Sequence, residues 1–101
     1  MDNKLIVTDE GEQDLIEIYL YVSRYSVSTA RKRIMKIYKR FDLLQLWPEM
    51  GTRLSSRFDV QYDYRYVICL RKYIIIYENS DGIIFIHRIF DCRTDFIKKL
   101  S

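Results

Sequence analysis

The chain has 101 residues, of which 49% are hydrophobic and 15% aromatic, and its formal net charge is +3. This length fits one domain (residues 1–101), and the composition excludes a disordered chain. The first residues are too polar for a signal peptide, the apolar runs are too short to cross a membrane, and no metal-ligand spacing is present. We therefore expect a soluble, cytoplasmic protein with no metal or other cofactor. Its mild positive charge permits an anionic partner without requiring one.

The first elements in the chain are a short strand and a helix. The apolar run at 5–7 indicates the strand, and Asp9 with a glutamate three residues later has the spacing of a capping box. Apolar residues then recur at helical spacing, which predicts a first helix over about 10–25. Its core-facing residues are expected to be Leu15, Ile18, Tyr19 and Val22.

A second helix is predicted over about 28–46, with Ser28 as its N-cap and Pro48 stopping it. The short link to the first helix predicts an antiparallel hairpin. Its apolar stripe contains Ala30, Ile34, Ile37, Tyr38, Phe41, Leu44 and Leu46. Its cations lie off this stripe and are expected to form a solvated face, namely Arg31, Lys32, Lys36, Lys39 and Arg40.

The second half of the chain predicts an antiparallel meander. After a loop at 49–61, strands are expected at about 62–70, 73–79 and 83–90, separated by very short turns. Both alternating faces of the first and last of these strands are apolar, so neither suits full solvation. We expect the second face of the sheet to be concave and to meet another chain. The alternative is a strongly curved sheet whose second face is covered by the loop and the tail.

The order of these elements and their residues resembles the RelE/ParE superfamily of toxins from bacterial type II toxin–antitoxin systems. The resemblance covers nearly the whole chain, through EQDLIEIYLYVS, STARKRIMKIYKRFDLL, WPEMGTR, YRYVICLRKYIIIYE and IIFIHRIFDCRTDFIKKL. The last two segments are the most specific. They are similar to the ParE-like pattern of an arginine in the first sheet strand, an aromatic-rich Y-I-I-I-Y strand and an R-I-x-x-x-R-x-D ending. The resemblance implies an α+β fold. An N-terminal strand would precede a two-helix antiparallel hairpin packed on an antiparallel sheet of three to four strands, with a short C-terminal helical turn.

The same resemblance implies a toxin that arrests growth, of the kind associated with plasmid stabilization. A co-encoded antitoxin would neutralise it in a toxin–antitoxin hetero-oligomer. ParE-like members inhibit DNA gyrase, whereas RelE-like members enter the ribosomal A site and cut mRNA. A homologue that has lost its activity is a third alternative.

The chemistry of mRNA cleavage slightly favours the ParE-like alternative. Attack of an RNA 2′-hydroxyl on the adjacent phosphate needs a cation and groups that transfer protons. Arg65, Arg88 and Arg93 can supply the charge, and they are the candidate catalytic residues of what would be a metal-independent endoribonuclease. However, Phe96 stands in the tail where an acid or base would serve better.

Four further residues are candidates for contacting the target: Arg53, Arg57, His87 and Asp95. All the candidates have a structural alternative. Arg65 could pair with Asp63 or Glu78, the tail arginines could pair with Asp91 and Asp95, and His87 could be a sheet histidine with a satisfied ring.

Overall fold

The fold consists of one mixed β-sheet with a helical hairpin packed on one of its faces. The computed structural model describes residues 3–100 as β1 (Lys4–Val7), α1 (Asp9–Ser23), α2 (Val27–Leu46), β2 (Thr52–Arg53), a 3-10 turn (Leu54–Ser56), β3 (Arg65–Cys69), β4 (Tyr73–Ser80), β5 (Ile83–Asp91) and α3 (Phe96–Leu100). The strand order is β1-β5-β4-β3-β2, with β1 parallel to β5 and the other pairs antiparallel. This confirms the predicted α+β class. The sheet has five strands rather than three or four because the two-residue β2 also pairs with β3.

The N-cap of α1 is Thr8 and not Asp9, which is the first residue of the helix. The Thr8 hydroxyl accepts a hydrogen bond from the backbone N–H of Gly11 at 3.1 Å. It also lies 3.1 Å from the carbonyl oxygens of Ile86 and His87 on β5, to which it can donate. One hydroxyl therefore fixes the start of α1 against β5.

Thr8→Val is expected to lower the free energy of unfolding by about 1–2 kcal/mol, because it keeps the side-chain shape but removes the acceptor of the Gly11 N–H. Urea denaturation followed by circular dichroism measures the change. The control is Thr29→Val, at an exposed position whose hydroxyl has no such role, and its cost should stay within about 0.5 kcal/mol. Equal costs for the two variants would refute this assignment of the cap.

The N-cap of α2 is Ser26, two residues earlier than predicted, and its hydroxyl accepts from the Thr29 N–H at 3.1 Å. The predicted packing of the hairpin on the sheet is confirmed. Its central side chains join one core with β3, β4 and β5, namely Leu15, Ile37, Phe41 and Leu44, with Ile18 and Ile34 partly buried beside them. Two residues of the predicted stripe, Tyr38 and Leu46, are exposed instead.

A β-bulge in β5 changes the alternation expected from the sequence. Ile76 is opposite Arg88 and Tyr77 is opposite Ile86, so His87 is an extra residue without a cross-strand partner. As a result Ile86 and Ile89 both face the helical hairpin, although simple alternation places them on opposite faces. Strand β1 pairs with β5 only as far as Ile86, so β5 becomes an edge strand just where the bulge occurs.

The second face of the sheet is covered by the chain itself, and the prediction that it meets another chain was wrong. Segment 54–64 and the C-terminal helix lie over this face. They form a second core from Leu54, Phe58, Val60, Tyr62, Tyr64, Tyr66, Ile74, Ile76, Phe90, Phe96, Ile97 and Leu100. The predicted strand at 62–70 begins only at Arg65 because the three preceding residues belong to this cover. No helix among residues 3–100 is long and apolar enough to cross a membrane.

Candidate functional site

Arg88 is held by a buried carboxylate on α1. Its Nε and Nη2 donate to the two carboxylate oxygens of Asp14 at 2.8 and 3.1 Å, and Nη1 donates to Glu10 at 3.3 Å. The guanidinium also lies 4.4 Å from the ring centroid of Phe90. Hydrogen bonding to Asp14 raises the pKa of Arg88 above its ordinary value. Arg88 therefore does not form the alternative pair with Asp91 or Asp95; its carboxylate partners are Asp14 and Glu10.

Asp14 is the residue in this arrangement that the sequence analysis missed. It is buried, and besides Arg88 it accepts a hydrogen bond from the backbone N–H of Ile89 at 2.8 Å. This carboxylate therefore joins α1 to the edge of β5 just beyond the bulge. The available signal was a carboxylate next to the core residue Leu15 in the helical pattern, where an acidic side chain needs a buried partner.

Arg65 holds the loop that follows α2. Its Nη1 donates to the carbonyl of Gly51 at 2.8 Å and to that of Glu49 at 3.4 Å, so neither predicted carboxylate partner is used. The Tyr77 hydroxyl, opposite Arg65 on β4, donates to the Pro48 carbonyl at 2.7 Å and accepts from the Gly51 N–H at 2.9 Å. Burial raises the pKa of Tyr77. Together Arg65 and Tyr77 fix the WPEMG segment to the sheet.

Arg93 lies on the surface and pairs with Asp91. Its backbone N–H and its guanidinium both bond to this carboxylate, at 2.9–3.2 Å, and Lys72 approaches it to 2.9 Å. The hydrogen bonds from Arg93, followed by that from Lys72, hold the pKa of Asp91 well below its ordinary range. Arg93 remains 83% exposed, so it could exchange this partner for another anion.

His87, the bulge residue, forms a polar cluster with β4 and the cover segment. Its Nε2 lies 2.9 Å from a carboxylate oxygen of Glu78, and its ring centroid is 4.7 Å from that of Tyr64. Burial, followed by the charge of Glu78, raises the pKa of Tyr64. A pocket of about 90 Å³ opens beside them and is lined by Glu10, Tyr64, His87, Arg88, Lys99 and Leu100.

The remaining candidates lie apart from this cluster. Arg53 is exposed on β2 opposite Arg65, and Arg57 is exposed at the end of the 3-10 turn. Asp95 is exposed and pairs with Lys98 at 3.7 Å. Phe96 is buried in the second core, with its ring centroid 5.3 Å from that of Phe58, so it faces no surface site.

The three candidate catalytic arginines therefore have three separate environments. Arg88 is bound to α1, Arg65 to the loop after α2, and Arg93 to the end of β5. Arg88 and His87 line the same small pocket, whereas Arg93 lies at a different one. The arrangement can hold the helices, loop and tail on the sheet, and it leaves Arg93 and the small pocket at His87 accessible from outside.

The fold of this chain is the fold of a solved protein from a bacterial toxin–antitoxin system. It superimposes with a TM-score of 0.72 on a chain from the chromosomal ParDE toxin–antitoxin system of P. aeruginosa, at 23% identity over 88% of this chain and 95% of that one. No curated protein is similar enough in sequence to count as a relative. The family model of the ParE toxin of type II toxin–antitoxin systems matches residues 5–96, and the chain belongs to this family.

Proposed function

We propose that this chain arrests growth by binding and inhibiting DNA gyrase, and that a co-encoded antitoxin neutralises it. The gyrase target is what the ParE-like branch of the resemblance implies. The observation that carries the choice of mechanism is the dispersal of the arginines. A phosphoryl-transfer site needs cations and proton-transfer groups aimed at one phosphate, whereas Arg65, Arg88 and Arg93 are each engaged in a different part of the fold.

The burial of Phe96 supports the same choice. A tail residue acting as general acid would have to reach the leaving oxygen of an RNA strand. Phe96 instead fills the second core and has no proton to donate. A toxin that acts by occupying a protein surface needs no such group.

Ribosome-dependent mRNA cleavage is the second candidate function, and the pocket beside His87 favours it. His87, Arg88, Lys99 and Tyr64 all line this pocket, and Glu78 can orient the imidazole. These are groups that can transfer protons and stabilise a phosphate. In this alternative Arg88 and His87 act on the RNA while Arg65 keeps its structural role.

An antitoxin fits the outer surface of the helical hairpin better than the sheet. Large apolar side chains are exposed there at the positions Ile16, Leu20, Val27, Met35 and Tyr38, each about half exposed or more. Pairs one helical turn apart, such as Ile16 and Leu20, present a stripe that an amphipathic segment can cover. Long-lived complexes have the more hydrophobic interfaces, so we assign this surface to the antitoxin.

Induction of the chain in cells is expected to reduce DNA synthesis and cause filamentation and a DNA-damage response while protein synthesis at first continues. Pulse labelling of DNA and protein after induction measures the order of these events. Co-expression of the neighbouring antitoxin gene should restore growth, and the two proteins should purify together. Immediate loss of protein synthesis, with transcripts cut on ribosomes, would instead establish the second candidate.

A further inference from the structure

One flank of α2 and the turn between β3 and β4 form a basic surface that the proposed site does not use. Its cations are Lys32, Lys36, Lys39 and Arg40 on α2 and Arg71 in the turn. Within residues 3–100, none of them forms an ion pair with a carboxylate, whereas Lys72, Arg88 and Arg93 all do. The sequence alone predicted a solvated face here, but this face also adjoins an apolar pocket.

The pocket lies between α2 and the end of β3, where the Cys69 thiol is 3.8 Å from the Lys36 carbonyl. It has a volume of about 200 Å³ and is lined by Lys36, Lys39, Arg40, Leu43, Cys69 and Leu70. Leu43 and Leu70 are 37% and 38% exposed. The surface therefore has an aliphatic centre with a rim of cations.

The turn that carries this surface has a strained backbone. Leu70 and Arg71 have φ values of 58° and 55°, and the Lys72 N–H donates to the Cys69 carbonyl at 3.1 Å. A turn whose two central residues both have positive φ favours Asn-Gly or Asp-Gly at these two positions. The other hairpin of this chain has that favoured pair, with Asp81 and Gly82 at φ 50° and 80°. Strained residues of this kind concentrate at binding sites, and here the strain places Leu70 beside the cations.

We propose that this basic surface binds the toxin's target protein, through an acidic segment with one apolar side chain that enters the pocket. The inference rests on the proposed function in taking the target to be a protein. Carboxylates of the segment would pair with the lysines and arginines, and its apolar side chain would contact Leu43 and Leu70. Charged surfaces accelerate encounters with a partner that must be found in the cell, and the apolar hairpin surface remains for the antitoxin. Nucleic acid fits less well, because the phosphate backbone gains nothing from exposed aliphatic groups.

The first test is the double charge reversal Lys36→Glu/Lys39→Glu. Glutamate is a good helix former, and at position 36 it lies one helical turn from Arg40, with which it can pair. The fold of this variant should therefore persist. The control is Lys4→Glu/Arg24→Glu, which changes the net charge equally at exposed positions elsewhere. The concentration for half-maximal inhibition of gyrase supercoiling should rise at least about tenfold in the first variant only. Antitoxin binding and circular dichroism should match the wild type in both variants.

The second test separates binding from stability. The variant Leu70→Asn/Arg71→Gly has the residue types that two positive φ values favour at these positions. Its melting temperature should therefore rise or stay unchanged. The same change removes an apolar contact and a cation, so growth arrest should weaken. A more stable but less toxic protein cannot be explained by misfolding.

Several results would overturn the proposal. One is that the charge-reversed variant still arrests growth, and another is that it no longer binds the antitoxin. A third is that the variant loses toxicity while the wild-type protein shows a salt-dependent affinity for DNA or RNA. If the wild type fails to inhibit supercoiling while the reversal still abolishes growth arrest with antitoxin binding intact, gyrase is the wrong target. The basic surface would then still be the contact with the target.

Discussion

Asp14→Ala is expected to lower the free energy of unfolding by about 3–5 kcal/mol, since it breaks a buried ion pair by removing one partner. Asp14 is 7% exposed and binds both the guanidinium of Arg88 and the backbone N–H of Ile89. The Ile89 N–H would lose its acceptor, and the guanidinium of Arg88 would keep only the exposed Glu10 as a carboxylate partner. A loss of this size is a large fraction of the stability of a small domain.

Urea denaturation followed by circular dichroism measures this loss. Asp42→Ala is the matched control, because Asp42 is an exposed carboxylate on α2 without an ion-pair partner among the described residues. Its effect should stay within about 0.5 kcal/mol. A cost for Asp14→Ala as small as that of the control would mean that the pair does not join α1 to β5.

The ion pair between Asp14 and Arg88 also affects how the toxicity of Arg88 variants is interpreted. Arg88→Ala leaves Asp14 buried without its cation, so a loss of toxicity in that variant reports unfolding as much as function. Arg93→Ala carries no such ambiguity, because Arg93 lies on the surface. Toxicity must therefore be compared only between variants whose stability has been measured.

Gly51→Ala is expected to cost about 1–3 kcal/mol through overpacking. A Cβ at position 51 would lie 2.5 Å from the Tyr77 hydroxyl oxygen and 2.8 Å from the Tyr66 carbonyl oxygen. Neither atom can easily move, since Tyr77 is fully buried and its hydroxyl joins Pro48 to Gly51. The substitution would push the loop after α2 away from the sheet and weaken the contacts of Arg65.

Thermal unfolding compares this variant with Gly82→Ala, which makes the same chemical change where a Cβ meets nothing within 4 Å. The control has only the conformational cost of a positive φ, about 1 kcal/mol. Gly51→Ala should therefore have the lower melting temperature. The reverse order would show that the loop adapts to the added methyl group and that close approach of Tyr77 does not require glycine.

The sequence contained enough information for the hairpin, the meander and the sheet. The helical spacing from Leu15 to Val22 and from Ile34 to Leu44 is a local pattern. Most of its residues are buried as predicted, namely Leu15, Val22, Ile37, Phe41 and Leu44. The short turns at 71–72 and 80–82 likewise fixed the antiparallel pairing of β3, β4 and β5. The apolar run at 5–7 indicated a strand before the hairpin, and β1 is found at Lys4–Val7.

Other features depend on contacts distant in sequence. The bulge at His87 arises from pairing between β4 and β5, and no local pattern marks the extra residue. Asp14 and Arg88 are 74 residues apart, so their pairing could not be read from charge spacing along either segment. The cover of the second sheet face uses irregular segments such as 57–64, whose apolar residues have no periodicity that predicts where they pack.

The candidate arginines illustrate the same limit. Their residue type is informative, as are the positions of Arg65 in the first meander strand and of Arg88 and Arg93 in the tail. However, an arginine binds a phosphate or a carboxylate equally well, and only the partners decide which. The partner of Arg88 is the buried carboxylate of Asp14, and the partners of Arg65 are two backbone carbonyls. The sequence predicts a solvated face for the cations of α2, because a charged helix face has no partner in the local sequence.

The most direct test of the proposed mechanism is a supercoiling assay with purified toxin, purified DNA gyrase, relaxed plasmid and ATP. The account predicts that the toxin inhibits supercoiling in a dose-dependent manner and that added antitoxin reverses the inhibition. Two results together would contradict the proposed mechanism. Supercoiling would proceed with excess folded toxin at the rate measured without toxin, and the same toxin preparation would cleave ribosome-bound mRNA.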